Sequence, residues 1–158
     1  MSEAAQISAC TQQDYLQILD DLDEFWDGRD VRALHHPFLV HEFGNSAFVI
    51  RDGSRVVAYL FGFISQTEPV GYVHLIAVHA SARRRRLAQR LYSHFVEFAR
   101  QRGCKHIKAI TTPTNSGSIA FHKSLGMRLL GQPNSDDVPV MLDYAGRDMP
   151  RIVFWKTI

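Results

Sequence analysis

Cysteine is scarce in this sequence. Cys10 and Cys104 are the only two in 158 residues, too few and too far apart for a disulfide framework or a cysteine zinc site. Both suit thiols kept reduced, so a cytoplasmic location is expected. Long apolar runs are missing too: no window approaches the roughly 18 uncharged apolar residues that cross a bilayer, and no membrane partner is expected. Residues 1–9 lack a basic stretch followed by an apolar one, so no secretion signal is expected. No Gly-Lys-Ser/Thr occurs, which excludes a P-loop, and no Gly-x-Gly follows a strand, which excludes the dinucleotide fingerprint. Basic residues are nearly absent from the first fifty positions, where Arg29 and Arg32 face Glu3, Asp14, Asp20, Asp21, Asp23, Glu24, Asp27, Asp30 and Glu42.

What is present suits one compact domain over residues 1–158, with 46% apolar residues to fill a core. The charge reverses along the chain. Residues 83–108 carry Arg83, Arg84, Arg85, Arg86, Arg90, Arg100, Arg102, Lys105 and Lys108 against Glu97 alone. Such polarity steers an anionic ligand to one region and a cationic one to another, or it marks two solvated faces of opposite sign.

Periodicity gives the elements. Residues 7–9 read as a short strand. Residues 11–22 read as a helix that Thr11 caps, with Tyr15, Ile18, Leu19 and Leu22 at helical spacing. Residues 31–43 read as a second helix. Residues 47–51 and 56–65 are strands joined by a turn at Asp52-Gly53. Residues 72–78 form the next strand, with Tyr72, His74, Ile76 and Val78 on one face and Val73, Leu75 and Ala77 on the other. A long helix over about 86–102 shows Leu87, Leu91, Phe95, Phe98 and Ala99 as its buried stripe, and Gly103 stops it. A buried strand at 107–111, a short helix at 116–125 and strands at 127–130 and 152–156 complete a mixed α/β (α+β) domain: a central β-sheet flanked by helices.

The strand ending at Val78 runs through residues 79–82 into the long helix. A helix N-terminus presents unpaired backbone N–H groups and the positive end of its dipole, a ready anion site. Arg83 to Arg86 add charge at that place. The sequence here resembles the GCN5-related N-acetyltransferase (GNAT) superfamily, in which a strand ending in Val leads into an Arg/Gln-x-x-Gly-x-Gly/Ala turn around the pyrophosphate of CoA. Arg83 and Ala88 match that pattern, and Arg86 stands at the usual glycine. A second match is Asn115-Ser116-Gly117-Ser118-Ile119-Ala120-Phe121-His122-Lys123-Ser124-Leu125-Gly126-Met127, similar to the Asn-containing helix that ends in Leu-Gly-Phe. Nearly the whole chain is covered. If Arg86 takes ordinary helical angles and points outward, CoA still fits; if it points inward, it either blocks the pyrophosphate or pairs with it.

The resemblance implies the GNAT acyl-CoA N-acyltransferase fold, acetyl-CoA as cosubstrate and direct attack of a primary amine on the acetyl thioester. Cofactor contacts fall on Ile76, Ala77, Val78, Arg83, Arg84, Arg85, Arg86, Leu87, Ala88, Asn115, Phe121 and His122. A backbone N–H near Ala77 or Val78 is the family-like donor to the oxyanion. His74, four residues before Val78, is the candidate base, because a histidine titrating near pH 6.5 accepts a proton at neutral pH. A core histidine pointing to the wrong face is the competing reading. His122 is the candidate acid toward the CoA thiolate, where tyrosine is common in the family; the alternative is packing against CoA.

Phe25, Trp26, Tyr72 and His74 are the candidate acceptor contacts. Phe38 and Phe43, on the same side with many carboxylates, suit a small amine with an apolar portion. No metal site is expected: His35, His36 and His41 lack a carboxylate at metalloprotease spacing. The arginine run has no interleaved aromatics, so no nucleic-acid partner is expected. A homodimer remains open. Small-molecule N-acetylation is the leading expectation. A protein acetyltransferase acting on lysine or an N-terminus and a non-catalytic acyl-CoA-binding domain are the alternatives.

Overall fold

The structure is a computed structural model that describes residues 5–158; Glu3, counted above among the early acids, lies outside them. Strands β1 (Ile7–Ala9), β2 (Ala47–Asp52), β3 (Arg55–Ile64), β4 (Val70–Val78), β5 (His106–Thr111), β6 (Arg128–Leu129) and β9 (Ile152–Thr157) form one sheet in the order β1-β2-β3-β4-β5-β9-β6. β4 and β5 run parallel, while the β1–β2, β2–β3, β5–β9 and β6–β9 pairs are antiparallel. Helices α1 (Gln12–Asp20), α2 (Leu22–Trp26), α3 (Phe38–His41), α4 (Leu87–Gln101) and α5 (Ser116–Ser124) flank the sheet. No helix among the described residues is long and apolar enough to cross a membrane.

Two compact units share the chain. The first takes the chain up to Phe63 together with His74–Phe98; the second takes Ile64–Val73 together with Ala99–Ile158. In the first, Thr11 caps α1 as expected: its hydroxyl accepts the Asp14 N–H at 3.1 Å, and the Asp14 carboxylate accepts the Thr11 N–H at 2.8 Å. The same carboxylate takes the Arg51 guanidinium, which ties the start of α1 to the end of β2. Burial alone pushes the Asp14 pKa up, but the bonds from Arg51 and Thr11 outweigh it and hold the carboxyl below its usual range. Ile18, Leu22, Phe25, Leu39, Tyr59, Phe61, Leu75 and Ala77 fill the core behind this helix. On α4, Leu87, Leu91, Phe95 and Ala99 are buried as the stripe predicts, and the Phe48 ring meets Phe98 edge-on.

The region 31–43 departs from the single helix expected. It is a 3-10 turn at Arg32–Leu34, a break, and the four-residue α3. Pro37 explains the break, since it restricts His36 before it to non-helical angles and can only begin a helix. Burial still alternates sharply: His35 is enclosed while His36 is exposed.

In the second unit, Ile107, Ala109, Ile152 and Phe154 form the buried face of β5 and β9, in register at Ala109↔Phe154. Between β6 and β9 the chain makes a hairpin that periodicity misses, β7 (Gln132–Pro133) with β8 (Pro139–Val140). Gly131 opens it with φ +101°, and a Cβ there would meet the Val140 carbonyl oxygen at 2.1 Å, so only glycine fits.

Candidate functional site

β4 supplies the first part of the site. Its burial alternates residue by residue from Tyr72 to Val78, with Val73, Leu75 and Ala77 buried and Tyr72, His74, Ile76 and Val78 half-buried. This is the face assignment that period two predicts. His74 therefore stands on the less buried face. Its Nε2 lies 3.0 Å from the Leu34 carbonyl oxygen. A carbonyl only accepts, so Nε2 carries the proton and the ring lone pair lies at Nδ1. Burial lowers the His74 pKa below 6.5, against a smaller upward pull from that bond, so the ring is neutral at pH 7.

After Val78 the chain turns through a 3-10 segment, Ala80–Ala82, capped by His79 Nδ1, which accepts the Ser81 N–H at 3.1 Å. Arg83 is extended, at φ −68° and ψ 162°. Arg84 has φ +65° and Arg86 φ +57°, whereas the arginine between them stays on the negative side. A chain whose φ alternates in sign turns successive N–H groups toward one side and makes an anion-binding concavity. α4 follows at Leu87, and its first N–H groups have no intrahelical acceptor. Arg86 thus takes neither of the arrangements considered from sequence. It adopts the left-handed angles that glycine would supply, and its side chain is exposed.

The four arginines are not equivalent. Arg83 pairs with Asp27 at 2.9 Å and Arg85 with Asp52 at 3.4 Å. Arg84 and Arg86 form no ion pair among the described residues. The Arg83 Nε also lies 3.4 Å from the Val78 carbonyl, which ties the turn back to the strand that leads into it.

Two of the expected acceptor contacts sit in this unit as well. Phe25 is only 3% exposed and packs edge-on against Tyr59 and His79, with centroids at 4.9 and 5.2 Å. It lies inside the core and presents no open face, because α2 turns its apolar side inward. Trp26 is half-buried and donates its indole N–H to the Tyr59 hydroxyl at 2.6 Å. Phe38 remains exposed and meets Phe43, whose ring lies 5.0 Å from that of Phe63.

The second unit holds Tyr72, Asn115, Phe121 and His122. Asn115 caps α5: its Oδ1 accepts the Ser118 N–H at 3.2 Å, and its amide donates to the Thr111 hydroxyl at 3.1 Å. His122 is 4% exposed and stacks on Phe154 at 4.1 Å and 8°. Its Nδ1 donates to the Ser118 carbonyl at 2.8 Å. Burial pushes its pKa down to about 4, against a smaller upward pull from the Ser118 bond. The ring is therefore neutral at pH 7, and giving a proton to a thiolate requires that it first take one up. Tyr72 is raised to about 12, first by burial and then by Tyr144, so it stays a phenol.

The buried His122 gives a stability prediction. Its folded pKa lies below the 6.5 of the unfolded chain, so the unfolded state binds the extra proton first as pH falls. Its contribution is full above pH 6.5 and is lost between 6.5 and about 4. The loss should amount to about 3 kcal/mol. His122→Phe, which keeps a ring on Phe154, should flatten this part of the profile. Denaturant titrations of both proteins across that window measure the difference, and parallel profiles would reject the assignment.

The chain matches the model of the acetyltransferase (GNAT) family over residues 11–127. No curated protein matches it in sequence. Among solved structures, Ard1 from Thermoplasma volcanium is similar with TM-score 0.76 and 18% identity, covering 99% of each chain. The ribosomal-protein-S18-alanine N-acetyltransferase from Escherichia coli has TM-score 0.67 and 16% identity over 98% of this chain and 94% of that one. An aminoglycoside 6'-N-acetyltransferase complexed with coenzyme A has TM-score 0.70 and 17% identity over 96% of both. At these identities the neighbours establish the fold. With the family match over most of the chain, it follows that this protein belongs to the acetyltransferase (GNAT) family and is an N-acetyltransferase of the acyltransferase class.

Proposed function

We propose that the chain acts as one acetyltransferase domain that moves an acetyl group from acetyl-CoA to the primary amine of a small molecule. The observation that carries this reading is the turn after β4, where Arg84 and Arg86 hold left-handed angles ahead of α4. Backbone N–H groups turned to one side, the positive end of a fifteen-residue helix and two arginines without ion pairs among the described residues suit a pyrophosphate. Bound there, acetyl-CoA supplies an activated acetyl thioester.

The chain's own residues do the rest. Arg84 to Ala88 hold the phosphates by backbone N–H and charge, with Ile76, Ala77 and Val78 beside the arm and acyl end. The N–H near Ala77 or Val78 donates to the oxygen that gains charge during transfer. His74 takes the proton of the incoming ammonium at Nδ1, directly or through one water, since Nε2 is already committed to Leu34. In the second unit, Asn115 at the cap of α5 and Phe121 and His122 within it are the cofactor contacts that the family resemblance implies. Of the acceptor candidates on α2, Trp26 is favoured over Phe25, which is enclosed.

Calorimetric titration tests the reading. Acetyl-CoA should bind with micromolar affinity, far tighter than ATP, and an amine panel that includes peptides with free N-termini should release CoA thiol with small amines preferred. No acetyl-CoA binding would refute the site. Binding without turnover on any amine would refute the catalysis, and turnover confined to peptides would move the acceptor to proteins.

A further inference from the structure

A buried polar chain lies behind His74. His35 is 2% exposed, yet every polar atom it brings inside is engaged. Its Nδ1 lies 2.8 Å from the Val31 carbonyl, so Nδ1 donates. Its Nε2 lies 2.7 Å from the Tyr59 hydroxyl and must then accept. The Tyr59 oxygen in turn accepts the Trp26 indole N–H at 2.6 Å. The His35 carbonyl accepts the Tyr15 hydroxyl, also at 2.6 Å. One neutral tautomer of His35 satisfies all four bonds, and burial, which lowers its pKa, keeps it in that form. The charged or titratable groups acting on this ring are His74 and Arg32.

These bonds converge on a single peptide plane. The Leu34 carbonyl that meets His74 Nε2 belongs to the same planar unit as the His35 N–H. That N–H donates to the Arg32 carbonyl at 3.0 Å, and the Leu34 N–H donates to the Val31 carbonyl at 3.0 Å. Val31 thus closes the turn twice, once through backbone and once through the His35 ring. Leu34 itself is 48% exposed, so its own side chain supplies little anchorage. The orientation of its carbonyl is inherited from the residue that follows.

We propose that His35 is a positioning residue for His74: by anchoring the 32–34 turn to Tyr59 and Tyr15, it holds the Leu34 carbonyl on His74 Nε2 and so keeps the lone pair at Nδ1. The inference rests on the reading of His74 as the base. Losing the carbonyl clamp removes an acceptor that favours the Nε2–H tautomer and shifts the ring toward a mixture of its two neutral tautomers. A ring divided between them presents its lone pair on the wrong nitrogen part of the time and in a less fixed orientation.

The test combines tautomer and turnover. Histidine labelled with 15N reports which nitrogen of His74 is protonated through long-range proton–nitrogen spectra. Wild-type protein should show His74 protonated at Nε2. His35→Gln and Tyr59→Phe should show a tautomer mixture at His74 and a roughly tenfold fall in kcat/KM for the amine, with KM for acetyl-CoA unchanged. Tyr59→Phe keeps the ring against Phe25 and Phe61, so it reports even if the His35 variant does not fold. A His74 signal that stays at Nε2 in the folded variants, or an unchanged kcat/KM, overturns the proposal. His74→Ala separates it from the reading beneath it. Turnover retained there removes the base role and the proposal together, whereas turnover lost there with no tautomer change in the variants removes the positioning role alone.

Discussion

His74→Ala should lower kcat/KM for the acceptor amine by about 100-fold or more, while acetyl-CoA binds within about threefold of wild type. General-base assistance by a positioned side chain typically contributes 10²–10⁴-fold. The ring stands on the less buried face of β4 and reaches the 32–34 turn through the Leu34 carbonyl, so its loss should leave the sheet in place. The pH profile carries a signature of its own. Burial lowers the His74 pKa below 6.5, so the competent neutral ring persists above that folded value and is lost as pH falls through it. The acidic limb of kcat/KM should therefore fall below pH 6.5 in wild-type protein and disappear from the residual activity of the variant. Steady-state rates from thiol release between pH 5 and 8 measure both effects. A variant that retains the limb would assign it to another group, and a variant with full activity would leave the amine to deprotonate in water.

Arg86→Pro should weaken acetyl-CoA binding by about 100-fold, or about 2.7 kcal/mol, whereas Arg86→Gly should leave it within about threefold. The two substitutions ask different questions of one position. At φ +57° an L-residue stores roughly 1–2 kcal/mol that glycine does not. Glycine keeps the N–H and the angle and discards the exposed guanidinium, and its greater freedom in the unfolded chain offsets about 0.5–1 kcal/mol of the relieved strain, so folding stability should rise by no more than about 1 kcal/mol. Proline fixes φ near −65°, removes the N–H and pushes Arg85 toward extended angles, so the turn ahead of α4 cannot form as it stands. Calorimetry with acetyl-CoA reads the affinities and thermal melts read the stability. If glycine abolishes binding, the guanidinium rather than the backbone carries the phosphate contact. If proline binds like wild type, the cofactor sits elsewhere.

Much of this architecture was readable in the sequence because it depends on local pattern. The alternation along β4, the stripe on α4 and the cap at Thr11 each follow from spacing within a few residues, whereas the cap that Asn115 forms on α5 was not read from the sequence. The turn at 83–86 was located by its strand–helix context, but its angles were not, since arginine has no preference for φ > 0 that would announce them. The break at Pro37 lies inside the stretch 31–43 read from the sequence as one helix, although proline disfavours helical angles at His36. Beyond reach was the His35 network: Val31 and Tyr59 meet its ring, Tyr15 meets its backbone carbonyl and Trp26 meets the same Tyr59 hydroxyl, and no spacing along the chain encodes that meeting. The burial of Phe25 was hidden for the same reason, since the face that α2 turns inward depends on what packs against it.

The four-arginine run also bears on how the protein meets ions before any ligand is seated. Two of its charges are spent inside the first unit, on Asp27 and Asp52, and a third acid of the early segment, Asp21, is taken by Arg55. The long-range field at the turn is therefore that of a local pair of cations rather than of a block of four. Counter-ions at about 0.15 M screen such a pair within about 8 Å. Encounter with a polyanionic ligand should thus quicken only modestly on lowering the ionic strength, and in the proposed reading the uncharged backbone donors of the turn supply the share of phosphate affinity that salt scarcely touches.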